Sequence, residues 1–172
     1  MGVNLDWLIG YLGESHKVDG LKEFVESSGA EIEFRSIVDA IGMSLDGVIY
    51  LNKRRFSELT DNKVYFILLH EIAHHKRMIK FKYNLDEMFA NMSEQQYINF
   101  IINEEIFADR YARQMYYKFN KELFPIKETQ RLHLSEVRTY YANRIRFYYA
   151  FLKDNPETVS YTHLTLPTIC SV

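Results

Sequence analysis

The chain has 172 residues, 47% of them hydrophobic and 26% charged, with a formal net charge of −2 and Lys and Arg spread along its length. Such a chain suits one compact domain with a real core; it is not a disordered polymer, and it lacks the basic field that a nucleic-acid or other polyanion binder needs. Its one cysteine, Cys170, excludes a disulfide framework.

No signal-peptide h-region or cleavage site is visible at the N-terminus, and no apolar run reaches the roughly 20 residues of a membrane span. The expectation is a cytoplasmic protein without membrane contact. The 13 Tyr and 12 Phe are read as an aromatic helical core, because no cationic surface accompanies them.

In chain order, residues 4–12 and 20–28 read as short helices, with Asp19 placed to cap the second and Gly29 suited to stop it. Residues 31–37 alternate as Glu-Ile-Glu-Phe-Arg-Ser-Ile, a half-buried strand pattern. Residues 47–52, Gly-Val-Ile-Tyr-Leu-Asn, read as a second strand behind a turn-like Leu-Asp-Gly. A long helix is predicted over about 61–80, capped by Thr60 or Asp61. Phe66, Ile67, Leu68 and Leu69 surround it, so it should be buried.

A short helix is open near 85–91. Ser93 and Gln96 fit a capping box for a further helix over about 94–118. Pro125 breaks the pattern, and helical spacing returns through Val137, Tyr141, Ile145, Tyr148 and Leu152. Helices, a small sheet, then helices read as an α+β fold.

Residues 159–172, Val-Ser-Tyr-Thr-His-Leu-Thr-Leu-Pro-Thr-Ile-Cys-Ser-Val, carry no formal charge and resemble the translation of a transposase-type sequencing adapter. They are set apart as non-native, which removes His163 and Cys170 from the site search. Residues 1–157 are taken as the domain, with continuation of the natural chain past Glu157 left open.

The chemistry concentrates at His70-Glu71-Ile72-Ala73-His74, an H-E-x-x-H motif on the predicted buried helix. Histidines at i and i+4 share a helix face and can reach one metal ion. Glu71, about 100° round the helix, can reach a water at that metal without taking a coordination position, as a general base requires. A third histidine at the H-x-x-G-x-x-H spacing is missing, since position 77 is Arg and 80 is Lys.

The third ligand is sought on the next helix. Within about 60° of Glu105 lie Ile98, Ile101, Ile102, Ala108, Asp109, Ala112 and Tyr116, an apolar stripe apart from Asp109. Two carboxylates in such a stripe need a cation or strong donors. Glu105 can complete a His2Glu zinc site, and Asp109 can hold the far nitrogen of a ligand histidine. Glu104 is the rival, on a flank with Tyr97, Tyr111 and Met115.

The stretch 47–112 resembles the ImmA/IrrE-type metallopeptidases, which pair a buried H-E-x-x-H helix with a downstream E-x-x-A-[D/N]-x-[F/Y]-A helix. The second motif reads here Glu105-Ile-Phe-Ala-Asp-Arg-Tyr-Ala112. The resemblance implies a minimal zincin-like fold of the gluzincin kind and one Zn2+ per chain. It also implies bacterial or phage regulation, in which some members cleave a transcriptional repressor.

The expected function is zinc-dependent hydrolysis of a protein or peptide, without direct nucleic-acid binding. The alternative is a catalytically silent zinc-holding regulatory protein, which would have no use for Glu71. A metal-free interaction module would not explain Glu105 and Asp109 on an apolar face. His75 is expected in the second sphere or on the surface, and His16 in a solvated loop. His133, Tyr111, Tyr140 and Tyr141 are open as oxyanion stabilisers, with none assigned.

Overall fold

The computed structural model describes residues 3–37, 41–45, 47–81 and 90–125, and residues 139, 142, 143, 146, 149, 150, 153 and 154. Helix α1, Val3–Gly13, buries Leu5, Leu8 and Leu12, spaced as one helix face requires. Helix α2 spans Leu21–Ser27. It is entered through Gly20 at φ 75°, with no side-chain cap, so Asp19 does not take the capping role its position suggested. Gly29, also at φ 75°, ends this helix in the left-handed conformation that glycine adopts without steric cost.

Three short strands follow: β1 (Glu31–Phe34), β2 (Gly42–Leu45) and β3 (Val48–Leu51). They form one sheet in the order β1-β3-β2, with β1 parallel and β2 antiparallel to β3. The first strand stops three residues earlier than its alternation predicts. Strand β2 was not anticipated. Its Gly-Met-Ser-Leu offers no apolar–polar alternation, because Gly42, Met43 and Ser44 are all buried. Gly47, at φ 87°, turns the chain from β2 into β3.

A 3-10 turn over Lys53–Glu58 places Phe56 in the core. Helix α3, Asp61–Phe81, then runs between the sheet and helix α4, Glu94–Asn120. Every residue of α3 from Val64 to Ala73 is buried, as a helix apolar on all sides demands. At its start the Thr60 carbonyl accepts from Lys63 N at 2.9 Å, with the Thr60 hydroxyl more distant at 3.4 Å.

Helix α4 opens on a complete capping box. Ser93 Oγ accepts from Gln96 N, and Gln96 Oε1 accepts from Ser93 N. It ends at Lys121 in the left-handed region, ahead of Pro125. Ala112 and Tyr116 of α4 join the main core under α3, while Tyr97, Ile98, Ile101 and Ile102 form a second cluster with Tyr149 and Ala142 packed on it.

The described residues between 139 and 154 are helical. His133, Val137, Tyr140, Tyr141, most of the segment near 85–91 and residues 159–172 lie outside the described residues. Among the described residues no helix is long and apolar enough to cross a membrane. The architecture is α+β, mostly helical around a small mixed sheet.

Candidate metal centre

His70 and His74 stand one turn apart on α3, and their Nε2 atoms approach to 3.0 Å. Glu105 reaches them from α4, with Oε2 3.3 Å from His70 Nε2 and Oε1 3.3 Å from His74 Nε2. The three side chains offer one ligand atom each within a single small triangle. His70 and Glu105 are buried, and the His74 side chain is 11% exposed.

The donor set fits zinc in three respects. Two imidazole nitrogens and a carboxylate are a ligand set zinc accepts. Tetrahedral coordination with bonds of about 2.0–2.1 Å puts ligand atoms roughly 3.3 Å apart, close to the separations found. Glu105 Oε2, buried and 3.3 Å from His70 Nε2, has no hydrogen-bond partner of proper geometry among the described residues. A buried carboxylate oxygen in that state is costly unless a cation meets it.

Asp109 stands one turn beyond Glu105 on α4, and its Oδ1 accepts from His70 Nδ1 at 2.9 Å. That bond puts the proton of a neutral His70 on Nδ1 and turns the Nε2 lone pair toward His74 and Glu105. Burial would lower the His70 pKa. The hydrogen bond to Asp109 and the proximity of Glu105 outweigh it and hold the ring well above the usual imidazole value. Burial likewise works to raise the Glu105 pKa, but His74 and His70 beside it bring it down to about 2. Glu105 is thus a carboxylate at neutral pH, the form in which it can bind a metal.

Glu71 is buried on the flank of α3 that faces the sheet. A β-carbon at Gly42 of β2 would lie 2.9 Å from Glu71 Cγ, 3.0 Å from Glu71 Oε1 and 2.7 Å from Ile67 Cγ2. Only glycine leaves room there, so the bare backbone of β2 seats the Glu71 carboxylate. Gly42 could not be identified from the sequence, because the strand carrying it has no alternation to reveal it.

Glu104, the rival to Glu105, is turned elsewhere. Arg77 binds it through two parallel bonds, Nε to Oε2 at 2.9 Å and Nη2 to Oε1 at 2.6 Å. The Arg77 guanidinium also lies 4.3 Å from the Phe107 ring centroid. Arg77 follows His70 by seven residues, nearly two full turns, and so shares its face. That spacing was a signal the sequence offered for Arg77 as the partner of a carboxylate on α4.

His75 is neither a surface residue nor a support of the cluster. It is 2% exposed, and its Nε2 donates to the Ser28 carbonyl at 3.1 Å, tying α3 to the end of α2. Its position next to His74 turns it about 100° away from the cluster. His16 is half-buried, not solvated. It bonds Ser15 Oγ and the Asn62 side chain and packs against the rings of Tyr65 and Tyr116. Tyr111 is half-buried, with Phe24 and Phe107 stacked on its ring. No protein-family model matches the chain, and neither a curated protein nor a solved structure matches it.

Proposed function

We propose that the chain is a zinc-dependent endopeptidase in which His70, His74 and Glu105 hold the metal and Glu71 is the general base. The observation that carries this reading is the convergence of two imidazole nitrogens on a buried, incompletely partnered carboxylate, beside a second buried carboxylate. Zinc, when bound, supplies Lewis acidity that lowers the pKa of water toward 7 and polarises a carbonyl.

The remaining work falls to the protein. Glu71 takes a proton from the attacking water and returns it to the leaving amine, a role suited to a buried carboxylate. Gly42 keeps that carboxylate in place from behind. Asp109 fixes the His70 tautomer. On this proposal the chain is a zincin-like domain of the ImmA/IrrE type whose substrate is a protein or peptide such as a repressor and whose place is the cytoplasm.

The deciding experiment is metal analysis of chain purified without chelator, wild type beside His74→Ala, coupled to a proteolysis assay on unfolded protein. About one zinc per wild-type chain, lost with His74, is expected. Wild-type chain that cannot be loaded with zinc overturns the reading. Zinc held without hydrolysis of any polypeptide favours a silent zinc-holding interaction protein.

A further inference from the structure

A concavity of about 640 Å3 opens at the carboxyl ends of the two parallel strands. Its walls are Phe34, Arg35 and Ser36, which end and follow β1, and Asn52, Lys53 and Arg54, which follow β3. The floor is fixed. Asn52 is 6% exposed, its N donates to the Ile41 carbonyl at 2.7 Å, and its Nδ2 donates to the Ile37 carbonyl at 3.1 Å. Arg35 N donates to the Leu51 carbonyl at 3.0 Å, which locks the two walls together.

Three cations therefore share one cavity in a chain whose net charge is −2. None of Arg35, Lys53 and Arg54 has a carboxylate partner among the described residues, whereas the neighbouring Arg55 is paired with Glu58 at 3.0 Å. Like charges held at one cavity without counter-charges repel one another, and an anion there relieves that repulsion.

The cavity lies on the same sheet as Gly42. Phe34, Leu51 and Gly42 form one row across the sheet, Phe34 paired with Leu51 and Leu51 with Gly42. Two strand spacings of about 4.8 Å put Phe34 roughly 10 Å from Gly42, against which Glu71 packs.

From this placement we infer that the Arg35–Lys53–Arg54 cavity binds an acidic side chain of a polypeptide substrate. The assignment to a substrate rests on the peptidase reading; the preference for an acidic polypeptide does not. A polypeptide is favoured over single-stranded nucleic acid because the chain's net charge is −2 and three cations at one cavity make no basic groove that tracks a phosphate backbone. Lys53 Nζ lies 3.5 Å from the Trp7 centroid and 5.2 Å from that of Phe34, and Arg35 Cζ lies 5.6 Å from that of Tyr50, so these two cations rest beside aromatic rings and keep their charge free for an anion.

The test uses the full chain carrying Glu71→Gln, so that hydrolysis cannot consume the probe. Fluorescence anisotropy compares a labelled Glu-rich peptide, its Gln counterpart and a labelled oligothymidylate of the same length. The Glu-rich peptide should bind about tenfold tighter than the Gln peptide at low salt, with the gap closing as salt rises. Changing Arg35, Lys53 and Arg54 together to Gln should abolish the gap. Arg54→Glu alone, at an exposed position, should reduce it without threatening the fold.

Equal binding of the two peptides overturns the inference, as does a gap that survives the triple change. Oligothymidylate bound tighter than the Glu-rich peptide would make the cavity a nucleic-acid site and overturn it too. Since binding is read without hydrolysis, failure of the peptidase reading would appear separately, as wild-type chain that cleaves none of these peptides or any unfolded protein.

Discussion

Arg77 and Glu104 form a two-point ion pair between α3 and α4, at 2.9 and 2.6 Å, that separates two adjacent and chemically identical glutamates. With Glu104 turned to Arg77, its neighbour Glu105 is turned to His70 and His74. The register of the helix pair is thus set by contacts on both sides of one peptide bond.

Glu105→Ala should therefore lower zinc affinity severely. Asp109→Ala should weaken it roughly 10- to 100-fold, by freeing the His70 ring. Glu104→Ala should leave zinc in place but cost about 2–3 kcal/mol of stability. That is below the value for a fully buried pair, because the Arg77 side chain is 26% exposed and can reach water. Zinc titration and thermal unfolding of the three variants separate these outcomes. Loss of zinc in Glu104→Ala with retention in Glu105→Ala would reverse the ligand assignment.

Glu71→Gln should keep both zinc and fold while removing hydrolysis, since it deletes the base without touching a ligand. Metal content and proteolysis measured on one preparation check this. A variant that loses zinc as fully as His74→Ala would show that Glu71 has been given the wrong role.

Gly42→Ala adds one methyl group at 2.7 Å from Ile67 Cγ2 and 2.9 Å from Glu71 Cγ. Something must shift, at a cost of about 1–3 kcal/mol, and the Glu71 carboxylate moves with it. The expected result is zinc binding near wild type with hydrolysis reduced at least tenfold, since misplacement of a base by a fraction of an ångström is felt directly in rate. Unchanged turnover would show that β2 does not position Glu71.

His75→Ala should destabilise the chain by about 2–4 kcal/mol, because it leaves the Ser28 carbonyl without its donor and opens a cavity beneath α2. Zinc content below the melting transition should stay unchanged. A variant that loses metal while remaining folded would place His75 in the cluster.

Much of this arrangement was legible in the residues themselves. The apolar run around Phe66–Leu69 announced a buried helix, and the i, i+4 spacing put His70 and His74 on one face of it. The stripe of Ile98, Ile102, Ala108 and Ala112 oriented α4 and placed Glu105 and Asp109 on its inner side. Ser93 and Gln96 marked where that helix begins. These are local facts, since helical periodicity fixes which side chains share a face whatever lies opposite.

What lies opposite was decided only by the tertiary structure. Arg77 shares a helix face with His70 by spacing alone, but that Glu104 and not Glu105 meets it was decided only when α4 came to rest against α3. His75 read as peripheral until α2 met it. Strand β2 carries no pattern, because burial on both faces removes alternation, and so Gly42 had no visible purpose. Asp19 lost its capping role to a left-handed Gly20. The cationic cavity joins residues 34–36 to residues 52–54, which are apart in sequence and meet only through parallel pairing of β1 with β3. The physical reason is common to all of these. Periodicity assigns a residue to a face of its own element, while the partner on that face is chosen by packing between elements distant in the chain.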